Sequence, residues 1–184
     1  IPSRELVPGD LVELEAGDMV VADGRILDNY SLQVNESALT GESTNVEKTQ
    51  GSLPEDLPLA DRRNMVYSGS LVTYGRAQVL VTGTGMHTEI GKIAGMMNDI
   101  RENVHDWSDR DEVKSYLGKM LDGQVFDKKG LIYGMGHAVY SLSDPRERVF
   151  RSYVEHLAEA KGRQKDMNLY NMIEEVAPEL ISEE

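Results

Sequence analysis

Ser70-Leu71-Val72-Thr73-Tyr74-Gly75-Arg76-Ala77-Gln78-Val79-Leu80-Val81-Thr82 has no helical period. Its β-branched and aromatic residues alternate loosely with polar ones, and Gly75-Arg76 interrupts the run near its middle. The stretch reads as two short strands, residues 70–74 and 77–82, folded back through a hairpin turn. The same texture extends towards the N-terminus. Leu11-Val12-Glu13-Leu14-Glu15 alternates and stops at Ala16-Gly17-Asp18, and residues 24–28 and 31–36 read as two strands split by a turn at Asp28-Asn29. Short strands at this density indicate a compact β-rich domain. Pro54 and Pro58, among acidic residues, mark a polar loop.

Towards the C-terminus the texture changes. All seven threonines lie before residue 98, the last of them Thr88. Thr88 caps a helix with an apolar face of Ile90, Ile93, Ala94 and Met97. Ser108 with Asp111 resembles a capping box, followed by Val113, Tyr116, Leu117, Met120 and Leu121 on one face. Asp144-Pro145-Arg146-Glu147 reads as a helix start and Gly162 as a stop. A last helix carries Leu169, Tyr170, Ile173, Val176 and Ala177 and ends at Pro178. The expected fold class is therefore an α+β composite, with a β-rich domain over residues 1–97 and a helical segment over residues 98–184.

The 184 residues hold no cysteine, which excludes disulfides, cysteine-ligated metals and a thiol nucleophile. A net charge of -13 and a pI near 4.7 argue against nucleic acid as a partner. No stretch reaches the roughly 18–20 apolar residues of a membrane span. The opening Ile1, with no Met before it, reads as an excerpt or a processed product. His87, His105 and His156 have no zinc-site spacing and read as ordinary surface or interface residues, so no metal is expected. Met96, Met97, Met120, Met135, Met167 and Met172 read as packing.

Two short stretches carry chemistry. The first is Thr40-Gly41-Glu42-Ser43, between a strand and a polar loop. Gly41 permits close backbone approach, and Glu42 is either a solvated turn residue or a carboxylate that positions a water for attack on a phosphoryl group. Its surroundings are Leu6-Val7-Pro8-Gly9-Asp10, Gly17-Asp18, Ala22-Asp23-Gly24-Arg25, Glu36-Ser37-Ala38-Leu39-Thr40-Gly41-Glu42-Ser43 and Thr84-Gly85-Met86-His87-Thr88-Glu89-Ile90-Gly91-Lys92-Ile93, in that order. Together they resemble the actuator domain of P-type cation-transporting ATPases. Asn64-Met65-Val66-Tyr67-Ser68-Gly69 and Val72-Thr73-Tyr74-Gly75-Arg76 look most like the calcium-pump branch. The resemblance implies a distorted jelly-roll at the cytoplasmic face of a membrane. It also implies that the Thr40–Ser43 loop docks beside a phosphorylated aspartate on another domain, where Glu42 assists water attack. Phosphorylation, nucleotide-binding and transmembrane domains of a parent pump, which uses ATP and Mg2+, are the implied partners. These 184 residues hold no Asp-Lys-Thr-Gly-Thr phosphorylation motif.

The second is Gly134-Met135-Gly136-His137-Ala138-Val139-Tyr140, followed by Asp144-Pro145-Arg146. His137 is either a buried structural histidine or a donor to a carbonyl substrate, and Arg146 either a surface residue or a carboxylate fork in the first turn of a helix. Together they suggest a small keto acid. With residues 99–104, Trp107 and Phe126-Asp127-Lys128-Lys129-Gly130, this stretch resembles citrate synthase. The resemblance implies an all-α fold. It also implies that His137 contacts the carbonyl of oxaloacetate, Arg146 binds its carboxylate, and Gly134 and Gly136 lie near acetyl-CoA. The remaining citrate synthase segments or a dimer partner would then be needed, because the upstream histidine and downstream aspartate of that family have no counterpart here.

The expected whole is a composite: a pump-derived actuator segment joined to an incomplete citrate synthase segment. Such a chain would be cytoplasmic, would bind no cofactor and would be inactive by itself. The alternative is a citrate synthase piece with a foreign N-terminal part.

Overall fold

In the computed structural model of the chain, residues 2–40, 44–54, 57–133 and 164–182 are described. The chain divides into two compact units, Ile1–Gly95 and Met96–Glu184. The mixture of a β-sheet with helices is that of an α+β protein.

In the first unit β1 (Leu11–Glu15), β2 (Asp23–Asn35), β3 (Asn45–Glu47), β4 (Met65–Val66) and β5 (Leu71–Gly83) form one sheet. Its order is β1-β5-β2-β3, with β4 paired to β2, and every pairing is antiparallel. A four-residue helix, α1 (Ser37–Thr40), follows β2. The core consists of Leu14, Val20, Ile26, Leu32, Val34, Val66, Val72, Ala77 and Val79, all buried.

Two expected turns are not turns. Residues 70–82 form no hairpin: β5 runs through Gly75 without reversing and pairs with β2 on both sides of it, Gln33 opposite Tyr74 and Tyr30 opposite Arg76. The burial pattern gives the reason. On β5 the buried positions are Val72, then Ala77, Val79 and Val81, so the inward set passes from even to odd numbers. Side chains alternate strictly along a strand, so one residue must be absorbed between the two sets, which is a bulge. The register shifts twice there: Thr73 is the extra residue of β5 between the Val34–Val72 and Gln33–Tyr74 pairs, and Gly75 is the single residue facing Ser31 and Leu32. Gly75 is at φ +75°, where a Cβ would lie 2.3 Å from the Ser31 carbonyl oxygen. Ser31, opposite, is itself at φ 54°. Likewise Asp28-Asn29 is no turn. It lies inside the thirteen-residue β2, next to a register shift between Ile26 and Asp28.

The boundary between the units falls inside α2 (Glu89–Asn103). Its start is capped as expected, with Thr88 Oγ1 accepting from the Gly91 amide at 3.0 Å. Its buried hydrophobic residues are Met96 and Ile100, whereas Ile90 and Ala94 from the expected apolar face are exposed. In the second unit α3 (Arg110–Leu121) and α4 (Gln164–Ser182) pack with the later part of α2. Met96, Ile100, Val104, Val113, Leu117, Met120, Ile132, Leu169, Ile173, Val176 and Ala177 make its core. The cap of α3 is Asp109, not Ser108: its carboxylate accepts from the Asp111 and Glu112 amides, two donors that the helix leaves open. Ser108 instead donates to Asp106. Pro178 does not end α4, which continues to Ser182. Leu180 packs on the core and Glu179 pairs with Arg110 and Lys114, so tertiary contacts hold the turn beyond the proline.

Candidate functional site

The connection that contains Thr40-Gly41-Glu42-Ser43 leaves and re-enters the sheet at a single rung. Asn35 on β2 faces Asn45 on β3, followed by Val34 with Val46 and Gln33 with Glu47. The exit from β2 is fixed locally. Asn35 Oδ1 accepts from the Ser37 amide at 3.1 Å and from its hydroxyl at 2.6 Å, and the Leu39 amide donates to the Glu36 carbonyl at 2.9 Å. Thr40 is the last residue of α1. Gly41, Glu42 and Ser43 lie outside the described residues, as does the side chain of Thr40.

Glu36 and Lys48, which bracket this connection in sequence, form a charged pair to which the sequence reading assigned no role. Lys48 Nζ contacts Glu36 Oε1, and both side chains are 0 % exposed. The ammonium also lies 5.6 Å from the centre of the Tyr67 ring. The Lys48 amide donates to the Leu32 carbonyl at 2.9 Å, which extends the β2–β3 pairing by one contact. Burial pushes the Glu36 carboxyl up from the usual carboxylate range, against the opposing pull of Lys48. Burial pushes the Lys48 ammonium down, opposed by Glu36 and assisted by Arg63. Burial also raises the Tyr67 hydroxyl.

A cleft of about 400 Å³ in the same unit is lined by Asp23, Arg25, Arg62, Tyr67, Glu89 and Lys92 among others. Its charges are engaged within the fold. Arg25 donates to the Gly51 carbonyl and Arg62 Nε to the Leu57 carbonyl at 2.8 Å. Asp23 accepts from the Ser68 amide at 2.8 Å and from the Glu89 amide at 2.7 Å, and Lys92 pairs with Glu89 at 2.6 Å. Burial raises the Asp23 carboxyl, and its two amide donors act the other way. The carboxylate thus ties β2 to the start of α2.

The second chemical stretch falls outside the described residues. This holds for Gly134, Gly136, His137 and Arg146, and for the expected helix start at Asp144-Pro145 and stop at Gly162. His156 is outside them too, whereas His87 and His105 are exposed. Among the described residues no group of three or more His, Asp or Glu is placed to hold a metal ion, and no helix is long and apolar enough to cross a membrane.

The profile of the citrate synthase C-terminal domain matches residues 84–184. A solved structure of a zinc-transporting PIB-type ATPase in its E2.Pi state covers 94 % of this chain and 23 % of its own, with a TM-score of 0.45 and 20 % identity, a likeness too loose to establish a shared fold. Curated relatives are closer. A calcium-transporting ATPase of Listeria monocytogenes is 58 % identical over 97 residues, and one of Lactococcus lactis is 57 % identical over 97 residues. A calcium-transporting ATPase of Bacillus subtilis is 50 % identical over 98 residues. Each alignment covers 53 % of this chain, and the chain spans only 11 % of each relative. The profile of the P-type ATPase actuator domain matches residues 1–98, and through these residues the chain belongs to that family.

Proposed function

We propose that residues 1–97 act as the actuator of a calcium-type cation pump, and that Glu42 assists hydrolysis of an aspartyl phosphate carried by another domain. The observation that carries this reading is the ordered run of motifs from Leu6 to Ile93, which coincides with the region 58 % identical to a calcium-transporting ATPase. The physical role is limited and specific. A dissociative phosphoryl transfer needs positioning and a proton acceptor more than covalent help from the protein. A carboxylate carried by a connection whose two ends, Asn35 and Asn45, meet at one sheet rung can supply both. Thr40, Gly41 and Ser43 would shape the approach, with Gly41 letting the backbone come close to the phosphorylated surface. The partners are then the phosphorylation, nucleotide-binding and transmembrane domains of the pump. The working place is the cytoplasmic face of a membrane.

The test is a hybrid pump. Residues 1–97 replace the matching 97 residues of the Listeria calcium-transporting ATPase. The hybrid should form phosphoenzyme from ATP and hydrolyse it. Glu42→Gln should slow hydrolysis by about 10²-fold or more, the usual contribution of a general base, and leave formation within twofold. Equal slowing of both steps would contradict the assigned role.

A second reading is favoured for residues 98–184 by the profile match over residues 84–184. There His137 and Arg146 would bind oxaloacetate, and Gly134 and Gly136 would lie near acetyl-CoA. Catalytic groups of such a site act as a unit, so without the further histidine and aspartate these 184 residues should show no turnover. An assay for thiol release from acetyl-CoA plus oxaloacetate tests this. Turnover that disappears in His137→Ala would reverse the reading.

A further inference from the structure

We propose that the buried Glu36–Lys48 pair is the positioning element of the Thr40–Ser43 connection, setting the register of β3 and with it the place of Glu42. This rests on the actuator reading above. The two residues bracket the connection in sequence, Glu36 before Thr40 and Lys48 after Ser43.

β3 is only three residues long and meets β2 at three rungs. Backbone pairing of that length fixes register weakly. Its side chains add little: Asn45 and Glu47 are exposed and Val46 is half-buried. Just after β3, Asn29 Nδ2 donates to the Lys48 carbonyl at 2.6 Å and the Thr49 amide to the Arg63 carbonyl at 3.0 Å. The charged contact comes from Lys48 as well, whose ammonium reaches Glu36 and the Tyr67 ring. A one-residue slip moves β3 by about 3.3 Å and turns every side chain to the opposite face. Lys48 would then leave Glu36, and a carboxylate would remain buried without the lysine's charge. The pair therefore penalises each wrong register.

Stability alone does not call for such a pair. A well-packed apolar pair of similar volume is commonly as stable or more so. What an ion pair adds is discrimination between arrangements, and the segment arranged here carries the Glu that must reach a phosphoryl group. A misplacement of about 1 Å can cost about 10²-fold in rate, so a slip of 3.3 Å is decisive.

The experiment uses the hybrid pump, with Lys48→Met, Glu36→Gln and the apolar double variant Glu36→Leu/Lys48→Met. Thermal melting of the 184-residue chain carrying the same changes separates folding from positioning. The double variant carries no buried charge and should melt close to the parent. It should nonetheless hydrolyse phosphoenzyme at least about tenfold more slowly, with phosphoenzyme formation unchanged within twofold. A double variant that both melts and hydrolyses like the parent overturns the inference, because the pair would then be structural only. Equal slowing of formation and hydrolysis overturns it as well. Glu42→Gln in the same hybrid is the control: if that change leaves hydrolysis unaltered, the actuator reading fails at its source and the positioning role falls with it.

Discussion

Removal of one member of the Glu36–Lys48 pair should be far worse than removal of both. Each side chain is fully buried, and their contact replaces the water each has lost. Lys48→Met leaves the Glu36 carboxylate in the interior without the lysine's charge, and Glu36→Gln does the same to the ammonium. Breaking a buried pair from one side costs about 3–5 kcal/mol, whereas exchanging both members for well-packed apolar groups is close to neutral. For a unit of this size 1 kcal/mol is about 4–8 °C in melting temperature, so either single change should lower it by more than about 12 °C. The double variant should recover most of that loss. The pH dependence separates the singles. Burial holds the Glu36 carboxyl above its ordinary 4.5, so the folded state takes up a proton at higher pH than the unfolded state does. The penalty of Lys48→Met is then absent below about 4.5 and grows as pH rises through the folded pKa. Burial holds Lys48 below its ordinary 10.5, so the penalty of Glu36→Gln shrinks as pH rises towards that value. Hydrogen exchange of peptides covering Leu32–Val34 and Val72–Val81, followed between pH 5 and 9 with correction for intrinsic rates, reads both slopes. Singles within about 1 kcal/mol of the parent, or slopes of the same sign, would refute the reasoning.

Three further outcomes are expected. Gly75→Ala should destabilise the sheet by at least about 2 kcal/mol, because φ +75° disfavours a side chain and the new Cβ would press on the Ser31 carbonyl; an unchanged denaturation midpoint would show that the bulge relaxes freely. Asp23→Ala strips the acceptor from the Ser68 and Glu89 amides and should cost about 1–3 kcal/mol for each donor left buried, with Asp23→Asn in between; equal losses for both variants would contradict the role of this carboxylate in tying β2 to α2. In the second unit Asp106, Glu112 and Glu179 are held below the ordinary carboxylate range, the first by Ser108, the second by the His105 and Asp106 amides, the third by Arg110. Their contribution is present above the unfolded pKa and lost as pH falls through the folded one, so the urea midpoint followed by fluorescence of Trp107, the single tryptophan, should fall between pH 6 and 3. A midpoint that rises would contradict the sign.

What the sequence disclosed and what it withheld divide along one physical line. Features set within a few residues were legible: the alternation of Leu11–Glu15, the Thr88 cap, and the Val113, Leu117, Met120 face of α3. Features set by what lies across the chain were not. Gly75-Arg76 has the composition of a turn, and composition alone does not separate a hairpin from a bulge. The separation lies in parity, since Val72 and the odd-numbered set Ala77, Val79 and Val81 cannot share a face unless a residue is absorbed between them. That signal was present in the string, but it has meaning only if all four are known to be buried. Pro178 failed as a stop for a similar reason: its local penalty is outweighed by Leu180 on the core and Glu179 on Arg110. The same limit hid Glu36 and Lys48. A glutamate and a lysine in polar sequence read as solvated, because the default cost of burying either alone is prohibitive. Their contact offsets that cost, and it joins residues twelve apart in sequence, so neither residue's neighbours reveal it. The chemical motif was legible because it is contiguous. The groups that hold its ends in place were not, because positioning, unlike the chemistry it serves, is a property of pairs.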